Sequence, residues 1–310
     1  MTNVQKNEVV QLIETEKIRL GSYANVANKA KVSTATISQM RNDNWELIKE
    51  ELWLKVANNL GYGFQGWNLA ETLNFKMISN TLNDAKDACL FMGISHKAGS
   101  GKTAALKMYA DLEHNNHVFY IQAREWARRE FLLELCRVLG QNPGKGYRSV
   151  DVLSTIVVDF FKDRTGKKPL LVIDEADKLK PTALRFFIYL FNELEDKMGV
   201  VISGTENLAL TFDKGVKYNK LGYDELSSRF GRKFIGLIGA TSKDVTLICE
   251  ANGIKNKEII SRIFNECEPV SITKNNQTFK VVEDLRRLKR IVKRELIIQK
   301  NQNERESEAA

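Results

Sequence analysis

The hydrophobic pattern divides the 310-residue chain into stretches of different period. Residues 1–65 carry apolar positions at helical spacing in short runs, which predicts a small helical domain. From about 66 to 238, short and nearly continuous apolar runs alternate with longer amphipathic ones. The runs at 90–95, 117–122, 170–174, 200–204 and 234–237 predict strands, and 102–112, 130–140, 149–164 and 181–197 predict helices. Strands apolar on both faces are expected where helices cover both sides of a parallel sheet. The fold class is therefore α/β, a doubly wound parallel sheet. Residues 239–300 show no strong strand pattern and predict helices at 243–251, 257–267 and 281–299. The polar residues 301–310 predict a disordered tail.

Within the first stretch, residues 26–40 have the spacing of a helix-turn-helix. Ala27 is small where two helices must approach, Val32 follows a turn, and Ile37 and Met40 lie one helical turn apart. Lys31 stands where the turn usually has Gly. A second helix over about 33–41 would present Thr34, Ser38 and Gln39 outward, with Arg41 near DNA phosphates. A plain helical bundle would use the same apolar spacing. The region has eight basic and seven acidic residues, so its own affinity for DNA should be modest. The glycine and aromatic run GYGFQGW at 61–67 reads as the linker into the core.

Two motifs carry chemistry. Residues 96–103 read HKAGSGKT, after an apolar run and before a helical pattern, which is the context of a phosphate-binding loop. Ala98, Gly99, Ser100, Gly101, Lys102, Thr103 and Ala104 would cradle the phosphates of ATP, with Gly99 and Gly101 turning N–H groups inward. Lys102 would neutralise the β- and γ-phosphates, and the Thr103 hydroxyl would bind Mg²⁺. His96 replaces the Gly that usually opens such a loop, and its side chain restricts the loop entry. Residues 170–177 read LLVIDEAD, an apolar strand ending in carboxylates. Asp174 would hold the metal through water, and Glu175 would orient or deprotonate the attacking water.

Composition adds a bias. The net charge is +8 with a pI near 9.1, which favours a polyanionic partner. Cys89, Cys136, Cys249 and Cys267 are scattered without metal-ligand spacing and read as buried thiols of a reducing compartment. The chain lacks an apolar run long enough for a membrane span and a signal-peptide core, so a cytoplasmic protein is expected.

The order of phosphate loop, helical insert, acidic strand, a strand ending in a polar residue and a helical C-terminal piece resembles the AAA+ ATPases. The resemblance implies a helical lid at 239–300 and three further site residues. Thr205, after the strand at 200–204, falls at the sensor-1 position; a helix cap is the alternative use of that threonine. Residues 227–230 (SSRF) resemble the motif that carries an arginine finger, which implicates Arg229, with Arg232 as the alternative. Residues 283–286 (EDLR) lie where sensor 2 usually reads G-x-x-R, which implicates Arg286.

Within AAA+, the chain resembles the transposition proteins of the phage Mu B type. The marks are the N-terminal helix-turn-helix, the run ETLNFKMI at 71–78, and the spacing from IDEAD to GVVISGT. This resemblance implies an ATP-bound, head-to-tail helical oligomer on double-stranded DNA, with little sequence preference and a transposase as partner. Loops after the second strand and the following helix would then line the inner surface, through Arg124, Arg128, Lys145 and Arg148; a solvated basic surface would carry the same residues. Residues 286–294 hold six basic residues and no acid and would either add to that surface or serve ATP through Arg286. Two rival functions are a helicase loader of the IstB and DnaC type and a helix-turn-helix transcriptional regulator with an ATP-sensing module.

Overall fold

The structure is a computed structural model that describes residues 3–309, apart from 43, 61–66, 114–116, 145 and 275–276. Residues 61–66 of the expected linker at 61–67 and the candidate Lys145 therefore lie outside the described residues. The chain divides into two compact units, Met1–Trp67 and Asn68–Ala310.

The first unit holds α1 (Asn3–Leu20), α2 (Tyr23–Ala30), α3 (Thr34–Arg41) and α4 (Glu50–Asn59). Serine side chains start two of them: Ser22 accepts from the N–H of Asn25, and Ser33 from that of Thr36. Lys31 closes α2 in the left-handed region, φ 54°, a conformation that costs a non-glycine residue about 1–2 kcal/mol. That turn brings Ala27, Ile37 and Met40 into one core around the fully buried Trp53. The Trp45 ring stands edge-on to Trp53 at 5.6 Å, and its indole N–H donates to the carbonyl of Met40.

The second unit begins with α5 (Leu73–Asp87), β1 (Phe91–Ser95), α6 (Lys102–Leu112), β2 (Val118–Gln122), α7 (Arg128–Val138) and α8 (Val150–Lys162). It continues with β3 (Leu170–Asp174), α9 (Pro181–Leu184), α10 (Phe186–Leu194), β4 (Gly199–Gly204), α11 (Glu206–Lys217), α12 (Tyr223–Arg229) and β5 (Phe234–Ile235). The five strands form a parallel sheet in the order β2-β3-β4-β1-β5. Every residue of β3 and β4 is buried, because helices cover both faces. One core joins α7, α8 and α10 to the sheet, and a second joins α5 and α6 to it. The single helix expected over 181–197 is two, separated at Arg185. The ETLNFKMI run has a structural use: Thr72 caps α5, and Asn74 and Ile78 are buried.

The C-terminal part corrects two expectations. After β6 (Ala240–Thr241), α13 (Ser242–Ala251) and α14 (Lys257–Glu266), the chain forms β7 (Val270–Lys274) and β8 (Gln277–Val282) before α15 (Leu285–Ala309). These strands make an antiparallel sheet in the order β6-β8-β7, so this piece is not wholly helical. Valine, isoleucine and threonine in alternation favour a pleated strand over a helix at 270–282. Residues 301–309, expected to be a disordered tail, continue α15; they contain good helix formers and neither Gly nor Pro. Among the described residues no helix is long and apolar enough to cross a membrane.

Candidate nucleotide site and basic surfaces

The phosphate loop leaves the C-terminal end of β1 and enters α6. Gly99 and Gly101 adopt φ of 85° and 89°, which L side chains rarely tolerate. Lys102 is buried, and its ammonium donates to the carbonyls of His96 at 2.7 Å and Lys97 at 2.9 Å and to Ser100 Oγ at 3.2 Å. Burial pulls its pKa down, while Asp174 and Asp177 oppose that shift. Thr103 follows in the first turn of α6, partly exposed.

The acidic pair lies two strands away, at the end of β3. Asp174 is buried; its Oδ1 accepts from the N–H of Glu175 at 2.9 Å and its Oδ2 from the Tyr120 hydroxyl at 3.1 Å. Glu175 sits in the left-handed region, φ 55°, a strained position of the kind found at functional sites. Burial favours its neutral acid, but hydrogen bonds from Lys178 and Gln122, with the charge of Arg286, outweigh that and hold the carboxyl below its usual range. Lys178 Nζ donates to Glu175 Oε2 at 2.6 Å.

Because β4 lies between β1 and β3, its end faces both motifs. Thr205 caps α11 by accepting from the N–H of Asn207, and its hydroxyl donates to Asp177 Oδ2 at 2.6 Å. Asp177, Tyr120 and Lys178 were not singled out in the sequence. The run IDEAD is the one signal that pointed to Asp177, and nothing local marks Tyr120.

Residues 283–286 lie against the loop. Lys97 pairs with Glu283 at 3.0 Å, and the N–H of Leu285 donates to the carbonyl of Gly99 at 2.9 Å. A side chain at Gly99 would collide with the carboxylate of Asp284. Arg286, at the start of α15, acts electrostatically on both Lys102 and Glu175. Arg287 and Arg294 of the same helix pair with Glu268 and Glu266, so part of the basic run is neutralised within the unit.

Arg229 lies elsewhere. It lines a groove of about 500 Å³ with Cys89, Leu90, Phe91 and Phe191, along the start of β1, whereas Lys102 follows the end of that strand. Its guanidinium donates to Asn192 Oδ1 at 2.8 Å and lies 5.4 Å from the Phe191 ring centre. Arg232 is more exposed and pairs with Asp224 at 2.9 Å.

His96 is tied to β4 through its N–H to the carbonyl of Gly204. Its Nε2 is buried without a protein partner. Burial first, and then the charge of Lys102, lower its pKa and keep the ring neutral at pH 7. The unfolded chain binds that proton more readily, so this stability is present above the ordinary histidine pKa of about 6.5 and is lost as pH falls through the depressed value. The thermal midpoint of His96→Gly is expected to fall less than that of the wild type between about pH 7 and pH 5.5. Equal falls would show that His96 contributes nothing.

The candidate nucleic-acid residues are not uniformly free. Thr34 and Ser38 are exposed on α3, and Gln39 is half-buried. Arg41, expected at phosphates, is turned onto its own unit: it donates to Glu14 at 2.6 Å and lies 3.7 Å from the Tyr23 ring centre. Arg128 is half-buried; it donates to Ser154 and lies 5.8 Å from the Phe186 ring centre. Arg148 braces its own loop through the carbonyl of Pro143 at 2.5 Å. Arg124 is exposed. The structure joins the two loops, since Arg129 Nε donates to the carbonyl of Arg148 at 3.3 Å.

With this geometry established, the chain can be compared with known families. Residues 85–212 match the AAA domain family. Among solved structures, the chain is similar to Cdc6p from Pyrobaculum aerophilum, at 18% identity over 66% of this chain and 56% of that one, with a TM-score of 0.50. It is also similar to the Aeropyrum pernix ORC2 protein, at 15% identity over 57% and 50%, TM-score 0.40. A third is the replication initiator DnaA bound to AMPPCP and single-stranded DNA, at 16% identity over 76% and 66%, TM-score 0.43. The chain thus spans between half and two thirds of the length of these proteins. Comparison with curated proteins gives no match. The phosphate loop, the acidic strand and Thr205 all fall within the matched region, at the C-terminal ends of three adjacent parallel strands, and the α/β core has a fold similar to that of Cdc6p.

Proposed function

We propose that this protein is an ATPase that, in its ATP-bound state, coats duplex DNA as a head-to-tail oligomer with little sequence preference, and that it serves a transposase in DNA transposition. The observation that carries the reading is the separation of Arg229 from the chain's own phosphate loop. Lys102, Thr103, Asp174 and Glu175 share the C-terminal end of the sheet, while the arginine lines a groove at the other end of β1. A neighbouring subunit docked in the same sense would bring its arginine to this site, and repetition of that contact gives a ring or helix.

The residues present fit a magnesium nucleotide. Two left-handed glycines leave room for phosphate oxygens, and Thr103 with Asp174 would hold the ion. Mg²⁺ bound with ATP would neutralise charge developing on the phosphates. Glu175, kept as a carboxylate, accepts the proton of, or orients, the attacking water. Thr205 and Arg286 sense the terminal phosphate from the β4 end and from α15.

Duplex binding is assigned mainly to the second unit, through Arg124 and Lys145, with the exposed Thr34 and Ser38 of the first unit assisting. Replacing Arg124 and Lys145 by Ala is expected to weaken binding on every sequence. It should also flatten the dependence of log affinity on log salt by about one unit per lost phosphate contact. Unchanged salt slopes would remove these residues from the interface. The turn geometry of α2 and α3 favours one second reading, a sequence-specific regulator. A footprint on random DNA separates the two: uniform ATP-dependent protection supports the coat, and a discrete protected site supports the regulator.

A further inference from the structure

The loop between α7 and α8 holds an aromatic ring for which the phosphate-contact reading has no use. Tyr147 is 76% exposed, more than any other aromatic side chain among the described residues. Its ring is not loose. The Arg129 guanidinium carbon lies 4.6 Å from the ring centre, and Arg129 is itself anchored to the carbonyl of Arg148. Arg148 in turn holds the carbonyl of Pro143, and the N–H of Gly144 donates to Asn142 Oδ1 at 2.9 Å. Gly146 adopts φ 89°, and nothing crowds the place where a side chain on it would stand. The described residues of this loop thus brace one another, with one face of an aromatic ring backed by a cation and the other turned to solvent.

Such a ring matches a nucleobase in size, in flatness and in its preference for stacking. The cation beneath it adds attraction for phosphate, and holding the ring in place lowers the entropy lost on binding. In a B-form duplex the faces of the bases are covered by their neighbours. A ring at a loop tip meets a base face only where bases are unpaired. We propose that Tyr147, carried on Arg129, is a base-stacking residue that lets the core bind single-stranded DNA in addition to duplex phosphates. This rests on the reading of the protein as a DNA-binding ATPase and names a second substrate for the same surface.

The test uses the full chain with ATP and three labelled DNAs of equal length: oligo-dT, an abasic strand with the same phosphates, and a duplex. Wild type should bind oligo-dT more tightly than the abasic strand. Tyr147→Ala should lose about 5- to 150-fold on oligo-dT, down to the abasic level, and change less than about twofold on the abasic strand and the duplex. Tyr147→Phe should retain binding. Tyr218→Ala, at another exposed ring beside a lysine, should behave as wild type. The proposal is overturned if Tyr147→Ala binds oligo-dT as wild type does, or if it loses all three DNAs equally. It is also overturned if only self-association changes, which would place the ring in a contact between copies. Failure of wild type on the duplex would defeat the coating reading instead, and leaves the comparison of oligo-dT with the abasic strand to decide the role of Tyr147.

Discussion

Glu175→Gln is expected to yield a protein that binds ATP and duplex DNA and does not let go. The substitution keeps the size of the side chain and its place after β3, and removes the base. The wild-type carboxyl is held ionised by Lys178, Gln122 and Arg286, against its partial burial, so the substitution removes a charged acceptor. Removing such a group typically lowers turnover by about 10²–10⁴-fold. If hydrolysis ends the DNA-bound state, complexes of this variant should persist through a competitor chase that clears the wild type. Lys102→Ala should fail earlier, losing nucleotide binding and DNA coating together, because a cation tied to His96 and Lys97 is removed from the cradle. Release of DNA by Glu175→Gln at the wild-type rate would remove Glu175 from its assigned role.

Arg229→Ala is expected to bind ATP normally and to lose about 10³-fold or more in turnover. In its own subunit Arg229 is held by Asn192 and packed near Phe191, at the far end of β1 from Lys102. In the proposed assembly it would serve the nucleotide of a neighbouring subunit, not that of its own. Two consequences separate this from a structural role. Wild-type turnover should rise faster than linearly with protein concentration and be stimulated by DNA. Mixing Arg229→Ala with Lys102→Ala should restore part of the activity, since each supplies the half that the other lacks. A dilute monomer that hydrolyses ATP at the full rate would contradict the trans assignment.

How far the sequence could be read depended on whether a residue's use was local. The phosphate loop and the apolar strand ending in Asp174 are contiguous, so their spacing alone placed them on strand ends. The same holds for Ala27, Ile37 and Met40, whose helical period set the core of the first unit. The hairpin of β7 and β8 was missed because its second strand runs on into the amphipathic α15 pattern, although the alternation in VSITK and TFKVV around an Asn pair marks a hairpin. Charged side chains were the least legible. Arg41, Arg128 and Arg148 looked like phosphate ligands, and each is captured by a group distant in sequence or by its own loop: Glu14, Ser154 and Pro143. Tyr120 and Asp174 are 54 positions apart and meet because β2 pairs with β3 in register. No one-dimensional pattern encodes such a contact.

The most direct test is electron microscopy of the full chain with linear duplex DNA of mixed sequence, with ATP, with ADP and without nucleotide. Continuous coating of the DNA with ATP, absent under the other two conditions and absent for Lys102→Ala, is the expected result. Binding at discrete sites, or coating that does not depend on nucleotide, would contradict the account.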